Sequence, residues 1–308
     1  RALVSNGSGK VIVSDVTSTE LSMLDGGTSA TTTTVVDADR LILNDDGTMK
    51  QIAVTDLNTY LGSATSIDGL SDAKSEGTNF TGSLLIGHET TGTLNQAQYN
   101  TAVGLTALDA LTNGDWNTAI GYWALSANTS GTYNTASGGK ALYHNTTGDK
   151  NTANGYYALY SNTTGDYNTA SGYAALYANS TGYNNAAYGY ETLKVNTTGT
   201  NNTAIGLQAL WANTTGSANT ATGSGALVKN TTGNYNTASG YNALTANTTG
   251  TRNIAIGYGA YDGADQESDN LAIGYNALGG AISGGEKNVA IGNYSLDANT
   301  SGDHNTAV

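Results

Sequence analysis

Four carboxylates crowd one short stretch of the chain: Asp262, Asp265, Glu267 and Asp269. Oxygen ligands so spaced suit Ca²⁺, which takes roughly six to eight of them. They match neither an EF-hand loop nor a glycine-rich calcium repeat. A solvated acidic loop is the preferred reading, so the four stand only as a calcium candidate, and no metal or cofactor is expected. His88, His144 and His304 are isolated, with no His-x-His or H-E-x-x-H pattern, and read as surface residues. No G-x-S-x-G motif and no nucleophile–His–Asp set stands out, so the chain is not expected to be an enzyme. Aromatic residues are the other candidates. Tyr143, Tyr160, Tyr177 and Trp211 recur at one spacing, and Trp116, Tyr133, Tyr167 and Tyr235 at another. Exposed rings beside Asn and Thr could stack on the sugars of a glycan. The preferred alternative is that they stack on one another and stabilise the fold.

That spacing comes from a repeat. Residues 151–167 read NTANGYYALYSNTTGDY and residues 168–184 read NTASGYAALYANSTGYN. An Asn opens each unit every 17 residues from Asn100 to Asn270, then at Asn288 after 18 and at Asn305 after 17. One step back from Asn100 falls on Ser83, where SLLIG starts a degenerate unit. The array therefore runs over 83–308, about thirteen coils, and stops in mid-unit, so it is expected to continue further. The unit is N-T-A-x-G-Y-x-A-L-x-x-N-T-T-G-x-Y, and positions are numbered below from its Asn. It is too short and too rich in glycine for a pair of helices. Two short strands and two turns per unit are expected, with NTTG as a type I turn. In N-T-A-x-G-Y, alternation puts Ala and Gly on one strand face and positions two and four on the other. The late units have Ile254 and Ile256, Leu271 and Ile273, and Val289 and Ile291 there, which predicts that this face is covered too.

The fold class that follows is all-β: a parallel β-solenoid with one unit per coil. Coils about 4.8 Å apart would make a rod on the order of 60 Å long. Like residues would form ladders, Asn over Asn and Tyr over Tyr. A coil with one Leu, two Ala and an occasional Ile is short of core, so partner chains are expected to supply further burial. The NTTG segments are also N-glycosylation sequons, read here as turn chemistry. The segment from Gly279 to Gly285 reads as a loop bulging from the rod.

Composition narrows the partners. There are 11 Lys and Arg against 24 Asp and Glu, a net charge of −13. Such a chain has no electrostatic footprint for nucleic acid, and anionic membrane surfaces repel it. No apolar run is long enough to insert into a membrane. Cysteine and proline are both absent, so there is no disulfide or thiolate metal site.

NIAIG at 253, NLAIG at 270 and NVAIG at 288 resemble the short repeats in heads of trimeric autotransporter adhesins of the YadA type. The longer NTAIGYxALxxNTTG form, clearest at Asn117 and Asn202, is similar to repeats of phage tail fibres. STELSMLDGGTSA (18–30) and DRLILNDDGTMKQIAVTDLNTYL (39–61) resemble short motifs in fibre proteins of marine and cyanobacterial phages. The resemblance implies a homotrimer of left-handed parallel β-rolls, although 17 residues is longer than the autotransporter unit. It also implies a virion fibre, extracellular, that supports host attachment through a surface glycan or protein receptor and meets other virion proteins at its N-terminal end. Residues 1–82 would then be small mixed α/β adaptor modules. From the residues themselves, a short helix follows Ser18 or Thr19 and ends at Gly26, a β-hairpin turns at Asn44–Gly47, and a second short helix spans Thr55–Leu61. Three rivals remain: a bacterial cell-surface adhesin, an ice-binding solenoid using the Thr column at position two, and a glycan depolymerase.

Overall fold

The computed structural model describes strands at 3–5, 11–13, 40–45, 48–53, 73–75 and 84–86, and residues 96–308 apart from 264 and 281–283. The chain forms two compact units, Arg1–Thr65 and Ser66–Val308. In the first, β1 (Leu3–Ser5) pairs antiparallel with β2 (Val11–Val13), and β3 (Arg40–Asp45) with β4 (Thr48–Ala53). The β3–β4 register brings Asp45 opposite Thr48, the hairpin expected there. The short helices expected at 18–26 and 55–61 lie outside the described residues, as does His88.

The second unit holds one sheet of 15 strands. Strand β5 (Ala73–Ser75) pairs antiparallel with β6 (Leu84–Ile86), and from β6 onward every pairing is parallel, one strand per coil, to β19 (Thr306–Ala307). The sheet therefore begins before the repeat does. Strand β5 occupies the edge that the first coil would otherwise leave unpaired, which is how sheets blunt a sticky edge. Registers are in phase throughout: Thr152, Ala153 and Asn154 face Thr169, Ala170 and Ser171. No helix occurs among the described residues.

Each coil has one strand, of three residues except for the two of β19, rather than the two strands expected. The reason lies in the backbone after position five. In the coil 151–167, Gly155 has φ +136°, and Tyr157, Leu159 and Tyr167 all lie in the left-handed region at +62°, +51° and +57°. A chain that alternates in this way cannot run as a second strand. Left-handed non-glycine residues cost about 1–2 kcal/mol each. They persist here because each is held from outside: Leu159 N–H donates to Ala175 O (3.0 Å), Tyr157 N–H to Gly139 O (3.2 Å) and Tyr167 N–H to Asp149 O (3.0 Å). Neighbouring coils thus bond along the turns as well as the strands.

The interior is small and partly polar. Ala153, Ala158, Leu159, Asn151 and Asn162 are fully buried in this coil, and their counterparts recur along the array. The two asparagines converge on one acceptor: Asn151 Nδ2 and Asn162 Nδ2 both donate to Gly165 O, at 2.8 and 2.9 Å. Each also joins a ladder. Asn168 N–H donates to Asn151 Oδ1 (2.9 Å), and Asn162 Nδ2 donates to Asn145 Oδ1 (2.8 Å). NTTG is therefore a bend closed by the Asn side chain onto the carbonyl three residues on, not the expected backbone type I turn. Because the sequon asparagines are buried and hydrogen-bonded, a glycan has no route to them in the folded chain.

Both glycines are sterically required. A Cβ on Gly155 would lie 2.6 Å from Gly172 O, and one on Gly148 would lie 2.5 Å from Asn145 Oδ1. The expectation that positions two and four are covered fails for the single chain. Alternation turns them outward, and Ile205 and Ile256 are 43% and 41% exposed.

Asn162→Ala should strand Asn145 Oδ1, take from the Asn179 amide one of its two acceptors, and cost about 1–3 kcal/mol. Gly155→Ala should cost at least as much, while Thr198→Ala, at an exposed NTTG position, should be nearly neutral. Guanidinium midpoints would rank the three, and faster amide exchange confined to coils around 145–179 would locate the Asn162 effect.

Candidate functional site

The tenth-position rings do stack. Tyr143 and Tyr160 lie 5.3 Å apart with planes 6° off parallel, and Tyr160 and Tyr177 lie 5.1 Å apart at 5°. His144 packs edge-on against the first two, and Tyr157 against Tyr160 and Tyr177. All three tyrosines are half-buried, and burial pushes the Tyr160 phenol up. Their faces are turned to each other rather than to a ligand. Trp211 does not continue the stack, because Lys194 occupies position ten in the coil before it. Trp211 Nε1 instead donates to Glu191 Oε2 (3.3 Å), which also accepts from Gln208 Nε2 (3.1 Å), while Lys194 Nζ donates to Glu191 Oε1 (2.6 Å). The Lys194 contact, with help from Gln208 and Trp211, holds the Glu191 carboxyl below its ordinary range. The Lys140 ammonium lies 4.9 Å from the Trp123 ring centre and 5.2 Å from that of Tyr157.

The acidic residues do not form a ligand set. Arg252 Nε and Nη2 donate to the two oxygens of Asp269 at 2.6 and 2.9 Å, which holds that carboxyl low. Glu267 occupies the position of the second glycine and turns inward. Its Oε2 accepts from the N–H groups of Asp265 and Gln266 (both 3.1 Å), and its Oε1 from Gly284 N–H (2.7 Å). Glu267 thus bonds backbone N–H groups of its own coil and of Gly284 in the next, while 281–283 of the segment Gly279–Gly285 lie outside the described residues. Partial burial pushes Asp262 up. Among the described residues no three or more His, Cys, Asp or Glu side chains converge on a metal-sized site.

The same coil carries Tyr261 where the others have Leu. The phenol is fully buried and accepts a 2.6 Å hydrogen bond from Asn270 Nδ2. Desolvation pushes its ionisation far up, so it acts as a core hydroxyl. The unit has Ala264 in place of the ladder asparagine, and Asn247 Oδ1, which would have accepted from it, is buried without a partner.

The largest feature was not singled out as a site from sequence: the columns at positions four and six. Val103, Ile120, Tyr188, Ile205 and Ile256 stand out from the strands. Beside them Tyr156, Tyr173 and Tyr190, and again Tyr241, Tyr258 and Tyr275, form exposed stacks with steps of 5.1–6.2 Å. From Asn100 onward no charged residue occupies position two, four or six. Counting charge by position rather than along the chain would have found this signal.

The Glu191 cluster makes a pH prediction. A lowered carboxyl contributes stability above its ordinary pKa near 4.5, and that contribution is lost as pH falls through the lowered value. A Trp fluorescence change with a midpoint below 4.5, absent in Glu191→Gln, is expected. A midpoint at or above the ordinary value would contradict the geometry. Compared with protein-family models, with curated proteins and with solved structures, the chain finds no match.

Proposed function

We propose that the chain forms the shaft of a phage-virion fibre, a homotrimer that projects from the particle and supports attachment to the host cell. One observation carries this reading: an uncharged, exposed face rich in Ile and Tyr, interrupted by coils with Ser, Thr or Gly, runs along a solenoid in which Asp and Glu outnumber Lys and Arg. The exposed Ile, Leu, Val and Tyr of positions four and six are each about two-fifths to one-half exposed. Aromatic residues bury roughly 150–250 Å² each, so the two columns offer on the order of 1,000 Å². That exceeds the ~300–600 Å² of the largest patch on a typical monomer and reaches the ~800 Å² per partner of a stable interface.

Copies with a charge of −13 repel one another wherever their acidic residues meet. The face at positions two, four and six is where they can approach without charge. A single coil buries only two Ala, one Leu and two Asn, and this second layer would make good the thin core. Three chains and repeated coils then raise avidity without strong single contacts. Residues 1–82 serve in this reading as the junction to other virion proteins. A bacterial surface adhesin would use the same assembly. Ice binding would use the Thr column at position two, but that column gives way to Ile254, Leu271 and Val289.

Light scattering should give three times the 31.3 kDa chain mass, and negative-stain images should show rods. Ile205→Lys with Ile256→Lys should reduce the mass to one chain while the circular dichroism persists. An unchanged mass in that variant would remove the interface, and a monomeric wild type would remove the fibre. Labelled trimer that fails to sediment with any bacterial cells tested would count against attachment.

A further inference from the structure

We propose that a surface groove between two adjacent coils binds a neutral hexopyranose unit of a glycan. The groove holds about 370 Å³ and is lined by Thr164, Asp166 and Tyr167 of one coil and Thr181, Tyr183 and Asn184 of the next. Its size falls in the lower part of the range for small-molecule sites.

The two tyrosines differ from most of the aromatic residues in the array. Most other rings are used up on one another, as in the stacks at positions six and ten, with Tyr188 and Tyr235 as exceptions. Neither Tyr167 nor Tyr183 stacks on another ring among the described residues, although they are 52% and 47% exposed. The cause is an offset: Tyr167 stands at position seventeen, and in the next coil the aromatic moves to position sixteen. Lys150 of the preceding coil lies 4.7 Å from the Tyr167 ring centre and donates to its hydroxyl at 2.8 Å. This contact holds the ring from the side of the preceding coil, and the groove lies toward the next one.

The polar rim suits a sugar. Asp166 Oδ1 is used by Asp149 N–H (2.7 Å), but Oδ2 accepts no hydrogen bond among the described residues. The Asn184 carbonyl oxygen and the hydroxyls of Thr164 and Thr181 line the same groove as the two rings, while Asn184 Nδ2 donates to Asn201 Oδ1 (3.3 Å). A pyranose presents an apolar C–H face and a rim of hydroxyls, which match these two features. The acidic chain disfavours sialylated, sulfated or phosphorylated sugars, so a neutral one is selected.

Position sixteen also explains how the groove arises. In other coils the side chain there accepts the position-sixteen N–H of the coil before: Asp149 Oδ1 from Thr132 N–H (2.7 Å), Asp166 Oδ1 from Asp149 N–H, and Asn234 Oδ1 from Ser217 N–H (2.7 Å). Tyr183 cannot take this part and turns its ring outward. The local ladder is interrupted at the groove.

The groove requires the solenoid fold but neither the trimer nor the virion setting, so its failure would leave the fibre reading standing. The test is saturation-transfer NMR of the full chain with methyl glycosides of glucose, galactose, mannose and N-acetylglucosamine. At least one should show transfer, with a millimolar dissociation constant. Tyr183→Asp should restore the position-sixteen ladder, keep the melting curve, and weaken binding by roughly tenfold or more. Tyr167→Ala should weaken it similarly, and Thr232→Ala should not. No transfer from any of the four sugars, or equal transfer to Tyr183→Asp, would overturn the proposal.

Discussion

The solenoid depends on a buried amide network. In each regular coil two asparagines far apart in the unit donate to the same glycine carbonyl, and each also bonds its counterpart in the neighbouring coil. The first set of bonds closes the coil, and the second fixes the coil above in register. A buried amide left without partners costs about 1–3 kcal/mol, so a slip of register would strand several at once. An interior of Ala and Leu has little shape with which to specify register. The asparagines supply that specification, and the aliphatic residues fill what remains.

The same network explains the backbone. The chain turns sharply after the strand through a glycine and then through left-handed non-glycine residues, a route that an isolated segment would not take. Every one of these departures in the coil 151–167 is stabilised by bonds to the coil before or after. Stability is therefore a property of the stack, and one coil alone would have neither its partners nor a core. Where a unit departs from the pattern, other groups substitute. Leu111 begins the second asparagine column with an apolar side chain, and Tyr261, in the Leu column, provides a hydroxyl that accepts from Asn270.

Function in such a molecule lies in what faces outward. Inward positions are nearly invariant because the stack requires it. Outward positions are free to vary, and they sort by chemistry: uncharged residues at two, four and six, and charges at positions such as sixteen and seventeen. A self-complementary face and a local ligand groove are both ways of using this freedom without disturbing the interior.

The one-coil-per-unit solenoid, the parallel in-phase pairing and the ladders of Asn and Tyr followed from the sequence alone. They rest on periodicity and on small-residue positions that leave little choice. The hairpin at β3–β4 was legible for the same local reason, an Asp-Gly pair between alternating strands. The second strand expected in each coil does not form, because left-handed conformations at Tyr157 and Leu159 are not written in residue type and are imposed by hydrogen bonds to other coils. Only the tertiary structure showed that the tenth-position tyrosines spend their faces on each other, and that Arg252 and backbone N–H groups engage Asp269 and Glu267. It alone brought Tyr167 and Tyr183 together around a groove. Sequence spacing tells which residues share a column. Which way a column faces, and whether its groups are already satisfied, depends on the path of the backbone between columns.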